Sequence, residues 1–406
     1  MTVPKEISDH NFFAFLWHAT FLAFAQSFMD VDTIIPAMVI DSGGKAMHIG
    51  AITTIMMGGS SFTQLFFAPY ISNKHYKKKA LLAGINIRVC SLFALAFLLF
   101  FSGGAQKGWI LGLIFLFITL FAVGGAFTNV SYVDIFGKSV NEDKRKTFFS
   151  AKQIIAGSIV VVSAFLAKKT LTLSGYPLNY AYLFLIGGAL LLTASGGFWK
   201  IREIAPSTFL IRGWKDYMVI LKNELRQNKK LSWFLGFINT QGIIISFLPF
   251  VMLYANETFH IQSSDTGTFL LFKVLGAVSI GVFVFFMARR IKYNPLLYLN
   301  ASLSVGLIVM TLFVRDGIAL RYVFILGGVI FSLYSITMNG LLLEVSGKEN
   351  RALYTGLAGA GNIAPTIFPL AGGWLINQFG FQTFFILFIF ILLTTFFFIR
   401  KINCTK

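Results

Sequence analysis

Charge is scarce in this sequence, and acid is scarcer still. Of 406 residues only 12% are charged, with 16 Asp and Glu against 34 Lys and Arg. So little charge excludes an ordinary solvated globular surface. Cysteine is nearly absent too: Cys90 lies in an apolar run and Cys404 in a charged tail. Their contexts are too different for a structural disulfide to be expected. No G-x-x-x-x-G-K-[ST] loop occurs, so ATP-driven pumping by this chain alone is not expected. There is no His/Cys/carboxylate cluster with metal-ligand spacing and no nucleophile elbow. Metal, cofactor and catalytic residues are accordingly all expected to be none.

What is present is grease. The chain is 56% hydrophobic and carries 47 phenylalanines, which marks a membrane protein whose aromatics are expected to be mostly lipid-facing filler. A membrane helix needs ~20 mainly apolar residues. Twelve such runs lie between polar breaks, at 12–36, 49–71, 80–101, 109–133, 148–167, 178–199, 231–254, 266–287, 295–314, 318–343, 353–376 and 379–399. The opening MTVPKEISDHN lacks the basic region of a cleaved signal peptide, so the first span is expected to be retained.

Orientation follows from Lys and Arg. With the N-terminus inside, the inner segments hold twenty-five of the 34 and the outer segments six, which predicts both termini in the cytoplasm. The expected location is a bacterial inner (plasma) membrane. The same distribution argues against a nucleic-acid partner, because the formal charge of +18 is spread over every inner loop.

One loop differs from the rest. Residues 200–230 are long and basic, with Trp214, Met218, Leu221 and Leu225 at helical spacing, predicting an amphipathic helix on the inner face. This divides the chain into an N-terminal six-helix bundle (1–199), a linker (200–230) and a C-terminal six-helix bundle (231–406). The halves echo one another. "DIFGKSVNEDKRKTFF" from Asp134 and "EVSGKENRALYTG" from Glu344 each give an acid, then Gly-Lys three residues on, then Arg145 or Arg351 opening the next helix. The basic turns "NKHYKKK" and "ARRIKYN" follow the second and eighth spans, so a duplicated unit is expected.

Six plus six spans, a long middle loop and these basic turns resemble the major facilitator superfamily of secondary transporters, over nearly the whole chain. The family's turn signature is degenerate: in "PYISNKHYKKK", Asn73 stands at the acid and Tyr76 at a glycine. The antiporter signature of helix five is missing from "AKQIIAGSIVVVSAFLAKK", although "GNIAPTIFPLAGG" in helix eleven has its flavour. The resemblance implies an all-α integral membrane fold, two pseudo-symmetric bundles of inverted three-helix repeats, with helices 1, 4, 7 and 10 lining a central cavity, 2, 5, 8 and 11 forming the interface, and 3, 6, 9 and 12, the third carrying Arg88, facing lipid.

"QSFMDVDTIIPAM", residues 26–38, puts two carboxylates in an otherwise apolar helix. On a regular helix Asp30 and Asp32 lie 200° apart, and Asp30 shares its face with Gln26 and Thr33. Asp30 is therefore the expected substrate or proton contact, against the alternative that both acids sit at the outer mouth. Asp32 is a gating or structural candidate.

Three cations lie inside spans. Arg88 is expected to pair with an acid such as Asp134, with solute contact as the lesser reading. Lys152 begins helix five and can snorkel. Lys273 is a candidate contact, against the alternative of a lysine snorkelling to the outer surface; a gate in which it faces Asp30 across the outer seam stands against the alternative that each reaches the outer water separately. Asn239, Gln241, Asn339 and Asn362 complete the proposed binding set, with Asn129 as further interhelical glue. Arg145, Glu344 and Arg351 are structural or gating candidates. His18 is expected to be a packing histidine.

The expected function is a secondary active transporter moving a small polar solute by alternating access, coupled to an ion, with protons favoured. Three embedded cations against two acids tilt the solute toward an anion or zwitterion. The expected partners are that solute, the coupling ion and the bilayer. A non-transporting sensor of the same fold and an integral-membrane enzyme are the alternatives.

Overall fold

The computed structural model describes residues 3–72, 74–103, 108–204, 206, 219, 222–223, 226–287, 293–346, 359 and 361–402, with the backbone alone at 60–72, 142, 146, 150, 343, 344 and 346. Among these residues there is helix and no strand. That follows from the composition: in hydrocarbon every backbone N–H and C=O must be satisfied within its own segment, which a helix achieves and an open sheet does not. Among the described residues ten helices are long and apolar enough to cross a membrane, and Ala46–Gly59 is a shorter apolar one.

The elements run α1 (Lys5–Gln26), a 3-10 turn (Ser27–Met29), α2 (Ile34–Asp41), α3 (Ala46–Ser72), α4 (Lys78–Phe101), α5 (Gly108–Ser139), α6 (Glu142–Thr172) and α7 (Leu178–Lys200). After the linker come α8 (Lys229–Gln241), a 3-10 segment (Gly242–Ser246), α9 (Phe247–Phe259), α10 (Ser263–Met287), α11 (Tyr293–Leu312), α12 (Leu320–Ser346) and α13 (Ile363–Ile402). The first and seventh expected spans are therefore each broken. At ~1.5 Å per residue the 40 residues of α13 would measure about 60 Å, twice the ~30 Å hydrocarbon core. Gly380, at φ 77° and ψ 175°, divides it where the last two expected spans meet.

Several predicted features fall outside the described residues. They are the amphipathic helix with Trp214, Met218, Leu221 and Leu225, the side chain of Glu344, and Asn73, Arg351 and the basic turn at 288–292.

Backbone contacts divide the chain into two compact units. The first comprises 1–30, 41–43 and 58–217; in it α1 lies along α6 and α7, and α4 along α5 and α7. The second comprises 31–40, 44–57 and 218–406, with α10 along α12, and α13 along α8 and α11. Segments from the first two expected spans thus belong with the C-terminal helices.

Each unit has an aromatic core. Phe15 meets Tyr132, Phe136, Phe148 and Phe198 edge-on in the first. Phe247, Phe250, Phe384 and Phe388 interlock in the second. Eleven of the twelve largest fully buried side chains are phenylalanines. Rings such as Phe101, Phe285 and Phe286 are exposed, in keeping with lipid-facing filler, whereas the buried ones bind helices by shape and dispersion.

Candidate gating and binding site

The first span breaks where its proline requires it. In a continuous helix Pro36 would have no N–H for the carbonyl of Asp32, and its ring would collide with that carbonyl. The chain instead leaves α1 at Gln26, makes one 3-10 turn, extends at Asp30 (φ −63°, ψ 129°) and starts α2 at Ile34. Pro36 then falls in the first turn of a new helix, where a missing N–H costs nothing. This overturns the wheel geometry, which assumed a regular helix through both aspartates.

The consequence is a change of partner. Lys273 Nζ lies 2.5 Å from Asp32 Oδ2, with Asp32 only 6% and Lys273 8% exposed. The ion pair expected of Asp30 is made instead by Asp32. Asp30 is half-buried at the extended joint, and Gln26 is exposed at the end of α1.

Lys273 is mounted rigidly. A methyl group at Gly328 would overlap the carbonyl of Lys273, and one at Gly276 the carbonyl of Ile325, so α10 and α12 touch backbone to backbone. Its ammonium also lies 5.8 Å from the centre of the Phe331 ring. In the same unit, Gly50 meets the carbonyl of Pro369, and Gly373 that of Ala46. These are two small-x-x-x-small stripes in backbone contact, the packing used where lipid offers no hydrophobic drive.

A second polar region surrounds the break after α8. Asn239 donates to Gly361 O at 2.6 Å and accepts from Ala364 N at 2.7 Å, stapling α8 to the start of α13. Gln241, wholly buried, donates to Ser304 Oγ at 2.8 Å while its Oε1 has no partner. Tyr334 Oη and Asn362 Oδ1, both buried and unpartnered, converge on Gly242: they lie 2.9 and 3.4 Å from where a Cβ would stand. Asn339 is exposed and donates within its own helix to Ser335 O.

In the first unit the acid expected for Arg88 is occupied elsewhere. Asp134 pairs with Lys77 at 2.8 Å and Lys138 at 3.1 Å, and Lys138 bridges on to Glu203 at 2.7 Å. Arg88 instead lies 4.3 Å over Phe121. The reason is reach: Asp134 sits near the end of α5, between the two lysines, about three and a half turns beyond Phe121. Glu203 accepts from Lys77 N and Lys78 N at 2.8 and 2.7 Å, capping α4. Arg145 turns back onto the carbonyls of Val140 and Gly137.

Lys152 is ten residues into α6, about 15 Å from its start. The helix begins six residues earlier than expected, and those residues are the charged stretch Glu142–Thr147. His18 is buried, stacks on Phe198 at 3.6 Å, and has Nδ1 3.1 Å from Ala194 O. It packs as the sequence suggested. Glu203, Lys77 and Tyr334 were not foreseen; the acid in "KIREIAP", directly after the sixth span, was the available signal.

The model of the Major Facilitator Superfamily matches residues 16–362. The chain belongs to that superfamily. It is a multi-pass membrane protein of transporter type and not an enzyme. A search of curated protein sequences returns no significant match. Among solved structures, the chain is similar to a point mutant of the nucleoside transporter NupG, at TM-score 0.70 and 14% identity over 96% of this chain and 99% of that one. A POT family transporter in complex with a thioalcohol-conjugated peptide gives TM-score 0.69 at 12% identity, over 97% and 96%. A bacterial metal transporter gives 0.64 at 14% over the full length of both. At such identities the likeness is one of fold.

Proposed function

We propose that this superfamily member is a secondary active transporter that moves a small polar solute by alternating access, with both termini in the cytoplasm, and that protons are the coupling ion. The observation that carries the reading is the buried Asp32–Lys273 pair at a helix break. Two charges withdrawn from water are tolerable only together, and separating them is offset only by water or by a solute group. A pair of this kind has two stable arrangements, closed on itself or opened to solvent. A solute charge or a proton arriving at Asp32 shifts the balance between them by stabilising one state more than the other.

The small-residue contacts of Ala46 and Gly50 with Gly373 and Pro369 support the same reading. They hold by shape alone, without hydrogen bonds that must break on opening. The solved structures of similar fold include a nucleoside transporter, a POT family transporter in complex with a peptide conjugate and a bacterial metal transporter. The basic inner loops support the orientation.

Counterflow in proteoliposomes tests the proposal. Solute exchange together with accumulation driven by an imposed pH gradient is expected. Accumulation driven by sodium alone would replace the proton, and exchange without any driven accumulation would make the chain a uniporter. Ligand binding without flux would make it a sensor of this fold.

A further inference from the structure

Arg88 has an unusual setting, and glycines build it. Gly84 and Gly124 face each other so closely that a methyl group on either would stand 2.7–2.8 Å from the other's carbonyl oxygen. This brings α4 and α5 into backbone contact. One turn along α4, the stem of Arg88 lies against Gly124 and its Nε beside Gly125. The guanidinium rests over Phe121, and Nε is buried without a hydrogen-bond partner.

No ion pair reaches Arg88 among the described residues, and Asp134 is bound to two lysines. Contact with an aromatic ring engages the charge but satisfies none of the N–H donors. Those donors form a planar fork that matches a carboxylate or phosphate.

Arg88 has company. Phe121, Gly125 and Tyr132 follow one stripe of α5, with Gly125 and Tyr132 about 10 Å apart along the axis. Arg88 meets the stripe at its first two members. Lys152 meets it at Tyr132, 6.0 Å from the ring centre, and likewise has no carboxylate partner among the described residues. His18, whose ring centre is 6.5 Å from that of Tyr132, lies in the field of both cations. In the second unit, by contrast, the charge of Lys273 is matched by Asp32.

We infer that Arg88 is an anion-binding residue of the solute site, supported by Lys152, so that the solute carries a carboxylate or phosphate group. This rests on the transporter reading and narrows its substrate class. An isolated guanidinium among helices is costly to keep, and a solute anion supplies what the fold leaves out.

The test is thermal shift of the purified full chain in detergent. The probes are inorganic phosphate, citrate and L-glutamate, with glucose and uridine as neutral controls. Stabilisation by at least one anion is expected, weakened about tenfold or more in Arg88→Gln. Arg88→Lys keeps the charge but loses the fork and should weaken it less. If Arg88→Gln is not monodisperse, Arg88→Lys decides: an unchanged anion affinity overturns the inference. So does the absence of any anion shift in the wild type, or stabilisation by the neutral probes alone. Counterflow separates the two readings. A neutral probe transported equally by wild type and Arg88→Gln sinks the anion inference and leaves transport standing. Arg88-dependent anion binding with no flux does the reverse.

Discussion

Asp32, three residues past the end of a 3-10 turn, is held 2.5 Å from Lys273 on α10, and neither residue is more than 8% exposed. Two consequences can be measured. Asp32→Asn and Lys273→Met should each lower stability by about 3–5 kcal/mol, the cost of leaving one buried charge alone. The double mutant should lose less than either single one. Thermal melting of purified protein checks this, and single mutants as stable as wild type would show that the pair contributes nothing.

Backbone contact at Gly50 and Gly373 sets a steric limit. A Gly373→Val side chain would be forced against Ala46, whose carbonyl oxygen stands 2.5 Å from the position a Cβ would take. In a background lacking Cys90 and Cys404, a cysteine replacing Asp32 should react faster with a membrane-impermeant maleimide when Gly373→Val is present. Equal rates would mean that the stripe does not control access to position 32.

Topology has its own assay. Lys79 and Glu257 are both exposed. A cysteine at Glu257 should be labelled from outside intact cells, and one at Lys79 only after permeabilisation. The reverse pattern would invert the proposed orientation.

Asn239 makes two hydrogen bonds to the start of α13. Its replacement by alanine should cost about 1–3 kcal/mol, since it strands a carbonyl and an amide. Ligand affinity in the same protein, measured by thermal shift, should change little. A large fall in affinity at unchanged melting temperature would make Asn239 a binding residue instead.

The fold was legible because its signals were long. Apolar runs of helical length and the distribution of lysines do not depend on local detail, and every expected span overlaps an observed helix in the described residues. The site was legible only to the level of residue type. Lys273 was expected to pair with Asp30 but pairs with Asp32, because the rotation of the two acids was taken from a regular helix that Pro36 forbids. Reading the proline against the carbonyl four residues before it would have found the break. Arg88 was assigned a partner by proximity of charge type, whereas Asp134 was nearer to two lysines in a turn whose geometry the sequence does not give. Gln241 illustrates a third kind of loss, since an amide at mid-depth serves a cavity or a neighbouring helix equally well on composition alone.

Glu203 has a consequence for how the polypeptide is made. It caps the amides of Lys77 and Lys78 from 125 or more positions downstream and neutralises Lys138. During synthesis these amides therefore have only water to bond until the ribosome has passed the sixth span. A split version of the protein cut at residue 199, where hydropathy alone would place the boundary, would separate that carboxylate from its targets. Half-chains meant to reassemble need their cut beyond Glu203.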